Sequence, residues 1–205
     1  MKFYELATLD TVIFGAGKAM PLIGDYVTAP EARGTLLGAW GTDIGKLNRI
    51  YLLRGFESPE DLLAERERTR KSSNPFGCAD LLTDMAIDSY APLDFLPPVK
   101  TGDFGPIYEI RTYHMKPNGL APTQDKWREA VPVRERYSPL TIAMYSLDGP
   151  PRFTQIWPYR TLEERQKARS QSVADGIWPP KGGPDWLTPE MYSAIALPLG
   201  ISPLK

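Results

Sequence analysis

The sequence predicts an α+β chain of two tandem βαββαβ units, packed sheet to sheet as a pseudo-symmetric α+β barrel. Three observations carry the prediction: an internal repeat, matching strand-type runs in each copy, and the same helix-start signature at corresponding places. Phe3-Tyr4-Glu5-Leu6-Ala7-Thr8 matches Ile107-Tyr108-Glu109-Ile110-Arg111-Thr112 at an offset of 104 (108 minus 4), and Leu36 and Ala39 match Leu140 and Ala143 at the same offset. Phe56-Glu57-Ser58-Pro59-Glu60-Asp61 pairs with Tyr159-Arg160-Thr161-Leu162-Glu163-Glu164 at 103. Met85, Pro92, Leu93 and Pro97 pair with Met191, Pro198, Leu199 and Pro203 at 106. A conserved order with a slowly drifting offset is the mark of a duplicated unit with small loop insertions. The units are expected at 1–99, the more diverged copy, and 106–205, joined near residues 99–105.

Each element follows from local sequence. Residues 3–9 and 106–114 are rich in aromatic and β-branched residues and read as first strands. Gly15-Ala16-Gly17 and Pro117-Asn118-Gly119 read as turns leading into helices. A hairpin follows: Leu36 to Trp40 and Arg49 to Leu53 flank a turn with Asp43 and Gly45, and Leu140 to Tyr145 and Arg152 to Trp157 flank Asp148-Gly149-Pro150. The second helix of each unit starts at a hydroxyl cap, Ser58 or Thr161, with a carboxylate three residues on. Glu164 is placed to reach back to the cap amide. Strands near 83–91 and 190–197 close the units, each ending in proline. A βαββαβ unit is the ferredoxin-like arrangement, with both helices on one face of a four-stranded sheet. The other face needs cover, and the second unit supplies it.

Composition narrows the partners. Lys plus Arg (24) nearly balances Asp plus Glu (25), so no basic surplus points to nucleic acid or to an anionic membrane. The single cysteine, Cys78, forms no internal disulfide and belongs to no Cys/His cluster, so no metal site is expected. Met1-Lys2-Phe3-Tyr4-Glu5 runs straight into strand-type sequence without the features of a signal peptide. The longest uncharged stretch, Met191 to Leu204, is interrupted by Pro198, Gly200 and Pro203 and falls short of the ~20 apolar residues of a membrane span. The expectation is a soluble cytoplasmic protein. Without a P-loop, dinucleotide fingerprint, HExxH or nucleophile elbow, no cofactor is expected.

Tyr108-Glu109-Ile110-Arg111-Thr112-Tyr113, Pro117-Asn118-Gly119, Phe153-Thr154-Gln155-Ile156-Trp157-Pro158-Tyr159 and Trp178-Pro179-Pro180 together resemble the NIPSNAP family. The second half carries the resemblance most strongly. It implies the ferredoxin-like dimeric α+β barrel fold. It implies little about activity, because bacterial members mostly lack an assigned reaction, while eukaryotic relatives are linked to mitochondria and protein interactions. Many relatives carry a histidine two residues before the strand tryptophan, where this chain has Gln155, which argues against imidazole chemistry there. Leu52 and Arg54 stand at the approximate counterparts of Gln155 and Trp157.

Strand alternation sorts the candidate residues. Tyr108, Ile110 and Thr112 are expected to face the helix-covered core, and Ile107, Glu109, Arg111 and Tyr113 the interior between the sheets. With Glu5 at the corresponding place in the first unit and Gln155 and Trp157 sharing a face, the candidate pocket is Glu5, Glu109, Arg111, Tyr113, Gln155 and Trp157. A buried ion pair with interface aromatics is the plainer reading of the same residues and is weighed ahead of a pocket. His114, the lone histidine, is expected at a strand end, on the face opposite Arg111. Cys78 reads as an ordinary loop cysteine. The proline-rich stretch Trp178 to Trp186 reads as a connector, with a flap over the barrel mouth or a docking surface as alternatives. Glu65-Arg66-Glu67-Arg68-Thr69-Arg70 reads as a solvated helix face.

Two functions remain open on sequence. The first is binding of a small-molecule ligand or a protein partner without established catalysis, leaving room for a homodimer. The second is a cofactor-independent barrel enzyme, an oxygenase or isomerase, enclosing a small anionic or aromatic substrate, with Arg111 holding the anion and Glu109 or Tyr113 moving a proton.

Overall fold

The computed structural model describes residues 1–205. The first half comprises β1 (Phe3–Thr11), α1 (Gly15–Thr28), β2 (Thr35–Ile44), β3 (Arg49–Phe56), α2 (Pro59–Lys71) and β4 (Leu82–Pro92). The second comprises β5 (Ile107–Met115), α3 (Leu120–Arg134), β6 (Ile142–Ser146), β7 (Arg152–Tyr159), α4 (Leu162–Ala174) and β8 (Leu187–Pro198). The eight strands close into one barrel in the order β1-β3-β2-β8-β5-β7-β6-β4. Within it each half keeps the ferredoxin-like order, β4-β1-β3-β2 and β8-β5-β7-β6. Two ferredoxin-like units therefore form the expected α+β barrel, and their edges also hydrogen-bond, β2 to β8 and β4 to β6. Pairing the edges leaves no open ladder in the sheet.

The barrel is filled. Tyr4, Leu6, Trp40, Leu53 and Tyr90 of the first half meet Tyr108, Ile110, Ile142, Met144 and Ile156 of the second in one buried cluster. The Trp40 and Tyr108 rings lie 5.1 Å apart across the junction. Gly38 makes room for this packing, since a Cβ there would fall 2.0 Å from the Trp40 indole.

Filling by apolar groups inverts the expected faces of β5. Tyr108 and Ile110 point into the barrel, and Glu109, Arg111 and Tyr113 point to the helix side. The physical reason is charge compensation. A closed eight-stranded barrel has an interior just wide enough to fill with side chains and offers a charge no water. The helix side offers Glu109 the guanidinium groups of α4, which themselves keep partial contact with solvent.

Local starts follow capping chemistry. The Ser58 hydroxyl accepts from the Asp61 amide at 3.1 Å, and the Thr161 hydroxyl from the Glu164 amide at 3.0 Å. The Glu164 carboxylate reaches one residue further back than expected and accepts from the Arg160 amide at 2.8 Å. Gly15 lies inside α1 rather than in the preceding turn, and the chain turns instead at Phe14 in the left-handed region (φ 59°). Glycine suits the site because a Cβ would lie 2.9 Å from that of Thr11. The charged run of α2 is also less solvated than expected: Glu65 and Thr69 are buried against the sheet. No helix is long and apolar enough to cross a membrane.

Candidate functional site

The polar groups of the second half assemble around Trp157, on the sheet face under α3 and α4. Strand register places Glu109 opposite Trp157, Arg111 opposite Gln155 and Tyr113 opposite Phe153, so these side chains share one face. Glu109 is fully buried and draws in three guanidinium groups: Arg111 and Arg165 at 2.5 Å each and Arg169 at 3.5 Å. The Ser193 hydroxyl donates to the same carboxylate at 3.0 Å. Burial alone would raise the Glu109 pKa, but Arg165, Arg111 and Arg169 outweigh it and hold the carboxyl below its usual range. Arg111 also donates to the Tyr113 hydroxyl at 2.5 Å, making Glu109, Arg111 and Tyr113 a continuous chain.

On the α3 side, the Trp157 indole N–H donates to the Gln155 side-chain oxygen at 2.7 Å, and the Arg134 guanidinium lies 4.7 Å from the Trp157 ring centroid. Arg134 is 2% exposed, forms no salt bridge, and bonds the Ser138 hydroxyl at 2.8 Å. Its Nε–H, the Gln155 side-chain NH2 and the Arg165 Nε–H have no hydrogen-bond partner in the protein. Three guanidinium groups thus surround one carboxylate, and a fourth lies over the Trp157 ring, in a chain whose formal net charge is −1.

The first half treats the corresponding positions differently. Arg54 stands where Trp157 stands, and it bonds Glu5 at 2.6 Å and Glu65 at 2.5 Å. Glu65 corresponds to Ala168 in α4 (offset 103), so the buried Arg54–Glu65 pair of one half is Trp157 over Ala168 in the other. Burial pushes the Glu5 carboxyl above its usual range despite Arg54. Burial acts the same way on Glu65, but Arg68, the Arg33 amide and Arg54 bring it below the usual range. Glu5 therefore belongs to an internally neutralised cluster, far from the Trp157 assembly it was expected to join.

Beside that assembly lies a cavity of about 390 Å³, walled by Tyr113, Trp127, Phe153, Trp178, Trp186 and Met191. The stretch Trp178 to Trp186 folds over this helix-side cavity, not over the barrel mouth. Trp178 meets both Trp127 and Trp157 edge to face, at 4.8 and 5.8 Å between ring centroids. Tyr113 links the cavity to Arg111 and Glu109. Gln155 and Trp157 lie one layer behind the cavity wall.

His114 projects to the other face, its Nδ1 3.5 Å from Glu190 and its ring 6.1 Å from that of Tyr192. The Cys78 thiol is buried in the first-half core and burial pushes its pKa up to about 11, which leaves it a poor nucleophile. Sequence reasoning missed Arg134, Arg165, Arg169 and Trp127. Arg165 and Arg169 carried a readable signal: they stand four residues apart, on one helix face, in a helix that must cover the strand bearing Glu109.

Two ferredoxin-like halves closed into one barrel, with an aromatic cavity and a cationic cluster under the helices of the second, define a tandem α+β barrel protein. The NIPSNAP family model matches residues 4–76 and 108–203, and the chain belongs to that family. It is 24% identical over 180 residues to the protein NipSnap homolog of Dictyostelium discoideum, covering 86% of this chain and 78% of that protein. It is 26% identical to the protein NipSnap homolog 2 of Mus musculus, covering 83% of this chain and 63% of the mouse protein, so it spans just under two thirds of that relative. The solved structure of an anthrone oxidase-like protein superposes with a TM-score of 0.69 at 12% identity, covering 97% of this chain and 91% of the other. A protein described as a monooxygenase, from Lactobacillus acidophilus NCFM, covers 97% and 94% with a TM-score of 0.67 at 12% identity. At such identity the likeness is one of fold.

Proposed function

We propose that this NIPSNAP protein binds a small, largely aromatic molecule in the cavity of its second half, without performing catalysis on it. The observation that carries the reading is the tryptophan-walled cavity itself, whose volume of about 390 Å³ suits a small organic ligand. Tyr113, in the cavity wall and hydrogen-bonded to Arg111 behind it, can orient a polar substituent. A cytoplasmic setting belongs to the same proposal, supported by a single free thiol. The alternative, an enzyme enclosing its substrate in the barrel, meets two obstacles. The barrel interior is occupied by buried side chains. Glu109, one of the two expected proton carriers beside Tyr113, is held ionised by three arginines and is a weak base.

The neutral fluorophore N-phenyl-1-naphthylamine tests the reading. It should bind the intact protein saturably with one site and quench tryptophan emission, and Met191→Trp, which fills the cavity from its wall, should weaken binding at least about tenfold, equivalent to ~1.4 kcal/mol. Failure to bind, or binding indifferent to Met191→Trp, removes the proposal.

A further inference from the structure

Arg134 poses a problem that the aromatic cavity does not solve. A guanidinium group cannot shed its charge by losing a proton under ordinary conditions, so burying it requires a counter-charge or a dense set of acceptors. Arg134 has neither. Its protein contacts are two neutral hydroxyls, those of Ser138 and Tyr159, and the faces of Trp157 and Trp178, at 4.7 and 5.7 Å from guanidinium carbon to ring centroid. Cation–π contact with two indoles recovers part of the lost hydration. It leaves the Nε–H without an acceptor, and the NH2 of Gln155, whose oxygen accepts from the same Trp157 indole, is equally unmatched.

The one nearby carboxylate is already committed. Glu109 serves Arg111, Arg165 and Arg169, so the cluster around Trp157 carries a formal charge of +3 when Arg134 is counted with them (four arginines less one carboxylate). The first half shows the contrast. There the buried Arg54 is satisfied by Glu5 and Glu65 without outside help. Replacing Glu65 by its counterpart Ala168, and Arg54 by Trp157, removes the internal acid and turns the second half into a place that lacks an anion.

Access runs through Trp178. Its indole forms part of the cavity wall and also stacks near Arg134, so a single side chain separates the cavity from the guanidinium. Trp178 is held from the backbone by its N–H to the Ser172 carbonyl at 3.0 Å, so the main chain there is anchored independently of the indole.

We infer that the ligand of the second half carries a carboxylate, received by the Arg134 guanidinium and the free Gln155 amide N–H behind Trp178. The inference rests on the cavity reading for where the rest of the ligand lies. The carboxylate completes the hydrogen bonding of both buried groups and supplies the counter-charge, while the organic body stays between Trp127, Trp178 and Trp186. Charge-assisted hydrogen bonds to guanidinium are the strong class of such contacts, so a neutral analogue of the same shape is expected to bind less well.

The test compares benzoate with benzyl alcohol by calorimetric titration of the full chain at fixed ionic strength. Benzoate is expected to bind at least about tenfold more tightly. Arg134→Met should erase that preference while leaving N-phenyl-1-naphthylamine binding unchanged. Gln155→Glu should erase it too, by placing a carboxylate of the protein's own beside Arg134, and it serves as the second variant should Arg134→Met fail to fold. Equal affinity for benzoate and benzyl alcohol in the unaltered protein overturns the inference, as does a benzoate preference that survives either substitution. The fluorophore separates the two ideas. Fluorophore binding without benzoate preference sinks the carboxylate site alone, whereas an Arg134-dependent benzoate preference without fluorophore binding sinks the aromatic cavity and leaves the anion seat standing.

Discussion

Arg54 and Trp157 occupy corresponding positions and show how one scaffold position serves two purposes. Arg54 is 1% exposed and shares its protons between Glu5 and Glu65, an arrangement in which each charge is tolerable because the others are present. Arg54→Ala strips both carboxylates of their partner and leaves a void. The expected cost is about 3–5 kcal/mol, read as a shift of the urea midpoint at unchanged slope. A shift below about 1 kcal/mol would mean that water reaches Glu5 and replaces the guanidinium. At this scale the sequence told which residues keep company but not where. Alternation grouped Glu109, Arg111 and Tyr113 correctly and set them apart from Tyr108 and Ile110. It carries no information about which set faces inward, because both faces of this sheet are covered. Polarity pointed to the barrel for the charged set. The deciding fact is on another element, the arginines of α4, and no reading of β5 alone contains it.

The elements themselves were more legible, because caps and turns are written in a few adjacent residues. Ser58 and Thr161 both cap as their spacing predicts, and Gly149 takes the left-handed conformation (φ 65°) that its turn needs. Ser58→Ala and Thr161→Ala should each lower stability by about 1 kcal/mol in chemical denaturation. The Ser58 substitution should cost the more of the two, because its carboxylate partner Asp61 is also tied to Arg33 across to the segment after α1. Equal, negligible losses would show that tertiary packing alone fixes these helix starts. The start of α1 was missed for a different reason. Gly15-Ala16-Gly17 looks like a turn by composition, but Gly15 is there for its closeness to Thr11, a contact between chain segments that a local window does not record.

For the whole molecule, duplication is the fact from which most of the architecture follows. A lone four-stranded sheet with helices on one side would leave Tyr4, Leu6, Leu53 and Tyr90 in water, and those are the residues that fill the first half of the barrel. The repeat read from sequence therefore predicted the closure, though not that the edge strands would join into one continuous ladder. The halves are also cross-braced. The Ala39 amide donates to the Ser202 hydroxyl at 2.9 Å, Arg152 pairs with Asp88 at 3.1 Å, and Leu204 enters the shared interior. From this dependence we propose that residues 1–99 and 106–205 are structural units but not independent folders. Expressed alone, the 1–99 fragment is expected to self-associate or precipitate, since its barrel face is an apolar sheet with two open edges. Mixed with 106–205, it should form a one-to-one complex that melts cooperatively, with light scattering reporting the mass and near-ultraviolet dichroism the packing of Trp40 on Tyr108. A fragment 1–99 that stays monomeric and unfolds cooperatively by itself would show that its sheet can bear water, and the barrel would then be a convenience of linkage, not a condition of folding.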